Sequence, residues 1–245
     1  MKAYLLAAGF ATRMYPLTRN VAKPLLEVGG APILSHLLRR VESIPELTEV
    51  VVVGNHRFAE SLIDWSGSLS CRVPLRVLDD GVSEVDERLG AIGDLIFALH
   101  QVPNEDEDLL VVAGDNLLDF ELAPLYREFQ AERKPMLVTR RVQHGEGPSP
   151  YNEVKVDERG QVIEFREKPH DPTGDLSAIA LYFLMPETPR LLEEYLAAGG
   201  NPDAPGHFIS WLVSVASVSA RPMLGRWFDI GSLESLREAR VSWGL

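Results

Sequence analysis

The chain has one cysteine, Cys71, among 245 residues. No disulfide framework can therefore staple it internally, and a reducing compartment is implied. Cations are also in short supply: 24 Lys and Arg face 36 Asp and Glu, for a formal net charge of −12. That balance argues against nucleic acid as the main partner, which would need a basic stripe. It does not exclude a small phosphorylated ligand, since a few placed cations suffice for one. Long hydrophobic runs are missing too. The first, residues 3–8 behind Lys2, is too short for a signal peptide or a membrane span, so a cytoplasmic protein without a membrane partner is expected. The histidines show no metal-ligand spacing, and no Ser/His/Asp set or cysteine nucleophile emerges. Internal repeats and low-complexity tracts are absent as well. What the chain has is 45% hydrophobic residues and a mean hydropathy of −0.04, enough for a sizeable buried core.

Apolar runs bounded by turn residues recur at residues 3–8, 49–53, 72–78, 109–113 and 136–141. Helix-period stretches lie between them at 32–43, 58–65, 92–101 and 121–132. Continuous Val/Leu-rich strands alternating with amphipathic helices predict an α/β fold, a mostly parallel sheet flanked by helices on both faces. The pattern changes after residues 145–150, which read as an exposed turn. Two alternating runs, 153–156 and 162–165, are joined by Asp157-Glu158-Arg159-Gly160, a hairpin signal. A strand over 178–185 and a helix over 188–198 follow. A short helix is expected near 208–215, strands at 218–223 and 226–230, and a closing helix at 233–241. Cys71 reads as a packing residue in an alternating run.

The chemistry concentrates at the start. Leu6-Ala7-Ala8-Gly9-Phe10-Ala11-Thr12-Arg13-Met14-Tyr15-Pro16-Leu17-Thr18 turns from an apolar run into small residues and an arginine, and Lys23 follows beside Pro24. Small residues let backbone amides approach a polyphosphate closely. Arg offers a planar fork for phosphate and Lys a compact charge. These are the parts needed to hold a nucleoside triphosphate. The segment resembles the opening signature of the sugar-phosphate nucleotidyltransferases, a Gly-rich turn, Thr-Arg, Pro-Leu-Thr and then Lys-Pro, and the chain is closest in length to the short thymidylyltransferase-like members. The resemblance implies a Rossmann-like mixed sheet of the nucleotide-diphospho-sugar transferase fold with a sugar-binding hairpin and strand insertion. It also implies a single domain over 1–245, with residues 1–142 on the nucleotide side and 143–245 on the sugar-phosphate side. Members commonly carry Gly where this chain has Ala11, so the turn is expected to differ locally or to sit at negative φ.

Gly114-Asp115-Asn116 puts an acid just beyond an apolar strand, where ligands of such sheets bind. A carboxylate there suits Mg²⁺, and it equally suits a helix N-cap. Trp227-Phe228-Asp229-Ile230-Gly231-Ser232 repeats the situation, with Asp229 or Ser232 as the cap. The resemblance makes Asp115 and Asp229 the pair of Mg²⁺ ligands. Glu167-Lys168-Pro169 resembles the family's Glu-Lys-Pro, in which the carboxylate holds sugar hydroxyls and the ammonium the sugar phosphate. Asn152 and Ala180, near Tyr182, stand where members have Gly, and both add bulk to the expected sugar pocket. The loop Leu89-Gly90-Ala91-Ile92-Gly93-Asp94 resembles the family's base-facing loop. Val85 stands where thymidylyl members keep a pyrimidine-reading Gln, which leaves the base open.

The resemblance therefore implies an enzyme that joins a nucleoside triphosphate, dTTP or UTP foremost, to a sugar 1-phosphate, glucose 1-phosphate foremost. The catalytic cations would be Arg13 and Lys23. Ala8, Gly9, Phe10, Ala11, Thr12, Gly90, Gly93 and Gly114 would line the nucleotide. Asn152, Glu167, Lys168, Ala180 and Tyr182 would line the sugar phosphate. Cytidylyl or guanylyl transfer to another phosphorylated acceptor stays open, as do a non-catalytic nucleotide-sugar-binding role and assembly into a homo-oligomer.

Overall fold

The computed structural model describes residues 1–102, 106–143 and 149–244. Most of the turn expected at 145–150 lies outside the described residues. The strands are β1 (Lys2–Leu6), β2 (Glu27–Val28), β3 (Ala31–Pro32), β4 (Glu49–Gly54), β5 (Leu75–Asp79), β6 (Leu109–Ala113), β7 (Asn116–Leu118), β8 (Met136–Arg141), β9 (Glu153–Val156), β10 (Val162–Arg166), β11 (Leu176–Leu184), β12 (Ser219–Pro222) and β13 (Trp227–Asp229). The helices are α1 (Ile33–Val41), α2 (Ala59–Gly67), α3 (Ala91–Gln101), α4 (Ala123–Glu132), α5 (Thr188–Ala197), α6 (Pro205–Val215) and α7 (Leu233–Ser242).

Seven strands form the main sheet in the order β12-β8-β11-β6-β1-β4-β5. β1, β4 and β5 pair in parallel, Leu5 opposite Val52 and Val52 opposite Val77. β12 is parallel to β8, and β11 runs antiparallel to it. This is the mostly parallel, mixed sheet with flanking helices that the alternation of runs predicts. Val50 to Val53 are all fully buried, because a parallel strand covered on both faces has no solvent side and reads as one apolar run. Among the described residues, no helix is long and apolar enough to cross a membrane.

Two short features were not legible. After Gly114 and Asp115 the chain enters strand β7, not a helix, and β7 pairs with β13, Asn116 opposite Asp229. β2 and β3 form a two-residue ladder. Strands this short have no periodicity to read. Cys71 precedes β5 instead of lying in an alternating strand. It is half-buried, and burial, then the nearby Glu42, pushes its thiol above the usual range.

Contacts group the chain into two compact units. The first takes Met1–Arg88, Val112–Pro124 and Leu224–Leu245; the second takes Leu89–Val111 and Leu125–Met223. In the first unit Met14, Leu26, Val28, Ile33, Leu117, Ile230, Leu236 and Ala239 form a buried cluster. Met14, Leu26, Leu117 and Ile230 of that cluster lie within three residues in sequence of Arg13, Lys23, Asp115 and Asp229 respectively. In the second unit Tyr126, Phe129 and Phe183 pack ring on ring, with Phe129 and Phe183 centroids 5.7 Å apart.

Candidate functional site

In the first unit, the turn after β1 is held from inside by two buried polar side chains. Asn55, fully buried, donates from Nδ2 to the Ala8 carbonyl at 2.8 Å and accepts from the Phe58 N–H at 3.2 Å. Thr18, also fully buried, donates its hydroxyl to the Ala11 carbonyl at 2.8 Å, and the Met14 N–H reaches the same oxygen at 3.0 Å. Of the two outcomes expected for Ala11, a local difference in the turn or a negative φ, the second does not occur. Ala11 sits left-handed at φ 50, ψ 42, because two hydrogen bonds fix its carbonyl. Gly9 is exposed, and a Cβ there would meet nothing within 4 Å. Thr12 and Arg13 are exposed on the single-turn helix Thr12–Met14, whereas Ala8 and Phe10 are buried.

Lys23 opens a second single-turn helix, Lys23–Leu25, whose Pro24 is buried. Its ammonium forms an ion pair with Asp115 Oδ2, 92 positions on. The N–H of Ile230 reaches the Asp115 carbonyl at 3.4 Å, and Asp229 faces Asn116 across the β7–β13 ladder. Trp227 Nε1 donates to Asn116 Oδ1 at 3.1 Å and ties the same ladder through side chains. Both carboxylates are half-buried. Neither Asp115 nor Asp229 caps a helix; the cap expected near the C-terminus is Ser232, the other candidate there. No helix follows Asp115 until Ala123, and α7 is capped by Ser232, whose Oγ accepts from the Ser235 N–H at 3.1 Å. Among the described residues no group of three or more His, Cys, Asp or Glu gathers as a metal cage. Carboxylates borne by two neighbouring backbone segments suit a hard divalent ion that completes its shell with water and substrate phosphate oxygens. Gly114 serves the sheet itself: its N–H donates to the Leu6 carbonyl at 2.8 Å, and a Cβ would lie 2.9 Å from that oxygen.

The second unit holds the residues expected at the acceptor. Glu167 is largely buried, and its side chain is 12% exposed. Burial pushes its carboxyl above the ordinary value, against the opposing pull of Lys168 and His207. The room for it comes from Gly206, near the start of α6, where a Cβ would fall 1.9 Å from Glu167 Oε2. Lys168 is at φ 45 and its side chain is 58% exposed, with Nζ 3.9 Å from Glu167 Oε1. Tyr182 is buried; burial, and then Glu167, push its phenol up. Asn152 spends its amide on the neighbouring strand. Its Nδ2 donates to the Ala178 carbonyl at 3.1 Å, and its Oδ1 accepts from the Ala178 N–H at 2.7 Å. That strand breaks register between Ala178 and Tyr182, with Ala180 left-handed at φ 51. Ala11, Lys168 and Ala180 are three of only five non-glycine positive-φ residues among those described, and such outliers gather at functional sites.

Gly90 and Gly93 also belong to this unit. Gly90, at φ 80, lets the chain's own backbone approach: a Cβ would lie 2.4 Å from the Pro202 carbonyl oxygen. The first amides of α3 are engaged there too, Ala91 N–H with the Asp203 carbonyl and Ile92 N–H with that of Pro202, both at 3.0 Å. A Cβ on Gly93 would meet Leu89 Cβ at 2.8 Å.

Sequence reasoning missed Asn55, Gly206 and Glu153. Asn55 carried a signal, since Gly54-Asn55 behind an apolar strand repeats the Gly114-Asp115 pattern. Gly206 and Glu153 carried none, because their partners arrive from distant turns.

Comparison with known proteins bears on the family and the fold. The chain is 26% identical over 250 residues to glucose-1-phosphate thymidylyltransferase of Streptomyces antibioticus, covering 97% of this chain and 65% of that protein. It is 28% identical over 190 residues to the rice (Oryza sativa subsp. japonica) protein described as mannose-1-phosphate guanylyltransferase 1, covering 76% of this chain and 50% of that one. The chain thus spans about half to two-thirds of the length of these curated relatives. In fold it matches the crystal structure of UDP-glucose pyrophosphorylase complexed with UDP-glucose, at a TM-score of 0.82, 18% identity and coverage of 99% of this chain and 97% of that one. The nucleotidyl transferase family matches residues 2–243, and with that match, on a sheet of this topology, the chain belongs to the nucleotidyl transferase family.

Proposed function

We propose that the chain joins a nucleoside triphosphate to a sugar 1-phosphate, forming a nucleotide sugar and releasing pyrophosphate. An oxygen of the sugar phosphate attacks the α-phosphorus, and the bond from that phosphorus to the bridging oxygen of the pyrophosphate breaks. No covalent enzyme intermediate is needed, so the protein contributes orientation and charge. The observation that carries this reading is the meeting of Lys23 with Asp115, beside the strand that bears Asp229. A cation and two carboxylates from three separate segments suit a polyphosphate and its divalent ion better than they suit stability alone.

In this reading Arg13 and the turn around Gly9 hold the triphosphate, and Lys23 neutralises charge that builds near the α-phosphate. Asp115 and Asp229 would hold Mg²⁺, which polarises a phosphoryl group when bound. Lys168 takes the acceptor's phosphate and Glu167 its hydroxyls. Gly90 and Gly93 line the nucleotide, in a loop braced by the backbone of Pro202 and Asp203. Glucose 1-phosphate with dTTP or UTP is the first pairing to test, in keeping with the thymidylyltransferase relative. Mannose 1-phosphate with GTP is the second, favoured by the guanylyltransferase relative. The test is a matrix of the five common triphosphates against several sugar 1-phosphates with Mg²⁺, read as pyrophosphate release. Release that depends on one pairing supports the proposal, and none with any pairing refutes it.

A further inference from the structure

The turn that carries Glu167 and Lys168 closes on one buried carboxylate outside the expected set. Glu153 opens β9 and is 1% exposed. It lies directly opposite Arg166 in the β9–β10 ladder. Its Oε2 accepts from Arg166 Nε at 2.8 Å and also from Nη2. Its Oε1 accepts from the Thr173 N–H at 2.8 Å, from the Thr173 hydroxyl at 2.9 Å and from the Gly174 N–H. Arg166 extends the grip to the middle of the turn: Nη2 donates to the Asp171 carbonyl at 2.9 Å and Nη1 to Asp171 Oδ1 at 3.2 Å. Both ends of the arc 167–172 are therefore tied to the same side chain.

A carboxylate this buried is tolerated only when donors saturate it. Here the donors are supplied by a turn, so satisfying the charge fixes the turn in return. Bonds from a guanidinium and from backbone amides to an ionised carboxylate are among the stronger ones available. Lys168 needs that support. Its side chain is mostly exposed and its backbone is left-handed. An exposed ammonium on a flexible stem is aimed chiefly by the backbone that bears it. A free arc would sample many backbone states, and ordering it in advance lowers the entropy lost on binding.

We infer that Glu153 is a positioning residue: by holding Arg166, Thr173 and Gly174 it sets the arc 167–172 and so the place where Lys168 offers its ammonium to a phosphate. This rests on the proposed reading that Lys168 binds the acceptor's phosphate. The test compares Glu153→Gln and the milder Thr173→Val, each made alone and in a Lys168→Ala background. It measures KM for sugar 1-phosphate and for triphosphate separately, with amide hydrogen exchange over 167–172. Glu153→Gln should raise the acceptor KM roughly tenfold or more, since small misplacements weaken binding strongly, and leave the triphosphate KM within about twofold. Thr173→Val should shift the same constant less, and exchange over the arc should quicken in both. In the Lys168→Ala background Glu153→Gln should add less than about twofold, because residues acting through one another are not additive. An unchanged acceptor KM in both single variants overturns the inference. So does an equal Glu153→Gln effect with and without Lys168. If Lys168→Ala leaves the acceptor KM unaltered, the reading of Lys168 itself fails and takes the inference with it. Unaltered exchange in Glu153→Gln instead refutes the clamp while sparing that reading.

Discussion

Replacing Ala11 by Gly should stabilise the protein, the reverse of what Ala→Gly does nearly everywhere. Ala11 sits at φ 50, ψ 42, where a Cβ crowds the following carbonyl at about 1–2 kcal/mol. Glycine removes that strain but gives the unfolded chain extra freedom, worth about 0.5–1 kcal/mol. The balance favours the variant by about 0.5–1 kcal/mol, or about 1–4 °C in Tm for a chain of this size. The bonds that hold the turn, from Met14 N–H and the Thr18 hydroxyl to the Ala11 carbonyl, involve no side-chain atom of Ala11 and survive the change. Urea unfolding should show a raised midpoint at unchanged slope. Ala131→Gly, on the exposed side of α4, supplies the control and should lose about 0.5–1 kcal/mol. If Ala11→Gly lowers the midpoint as Ala131→Gly does, the turn is not strained in solution and the reasoning fails. Ala180→Gly, starting from φ 51, should follow the same sign, and it should widen the range of accepted sugars if the Ala180 methyl narrows the pocket.

Lys23→Ala should lower turnover about a hundredfold, the usual worth of a preorganised charge of ~3 kcal/mol. It should also tighten Mn²⁺ binding to the protein alone, because Lys23 is the ion-pair partner of Asp115; parental turnover at saturating substrates would remove it from the mechanism. Asp115→Asn and Asp229→Asn should each abolish Mg²⁺-dependent activity, with the double variant scarcely worse, whereas multiplicative losses would mean independent roles. Gly206→Ala puts a Cβ 1.9 Å from Glu167 Oε2, so Glu167 must swing out. Acceptor KM should rise while stability holds or gains, since Ala is the better helix residue by about 1 kcal/mol, and unaltered acceptor kinetics would refute the seat. For Glu153, burial works to raise the carboxyl, but the bonds from Arg166, Thr173 and Gly174 outweigh it and hold it at about 2, down from 4.5. A depressed carboxyl stabilises above its unfolded value and loses that contribution as the pH falls toward the folded one. Glu153→Gln should therefore cost up to about 3 kcal/mol at pH 7, and the gap should shrink between about pH 4.5 and pH 2. Urea midpoints at pH 7 and pH 3 check this, and a gap independent of pH would refute it.

What the sequence displays is periodicity and local chemistry, and the structure divides along that line. The buried strands were legible because Val50 to Val53 and Leu109 to Val112 are buried and carry no polar phase to hide them. β7 and the β2–β3 ladder were not, being too short for a period. The charged motifs identified Lys23, Asp115, Lys168 and Asp229 as candidates. Which of those charges meet is a property of topology: Lys23 reaches Asp115 because β6 delivers its end beside the turn after β1. Ala11 shows a subtler limit. Its departure from glycine was visible, but its conformation is decided by what its carbonyl binds, and Thr18 can hold that carbonyl only once the turn has formed. Glu153 is the extreme case. In sequence it is one more acid in an acidic chain, the kind of residue that ordinarily faces water. Its burial is possible only because a turn twenty residues on supplies the donors, and that turn keeps its shape only because the carboxylate is there. Neither half of such a pair has a meaning by itself, so no reading of either segment alone could have found it.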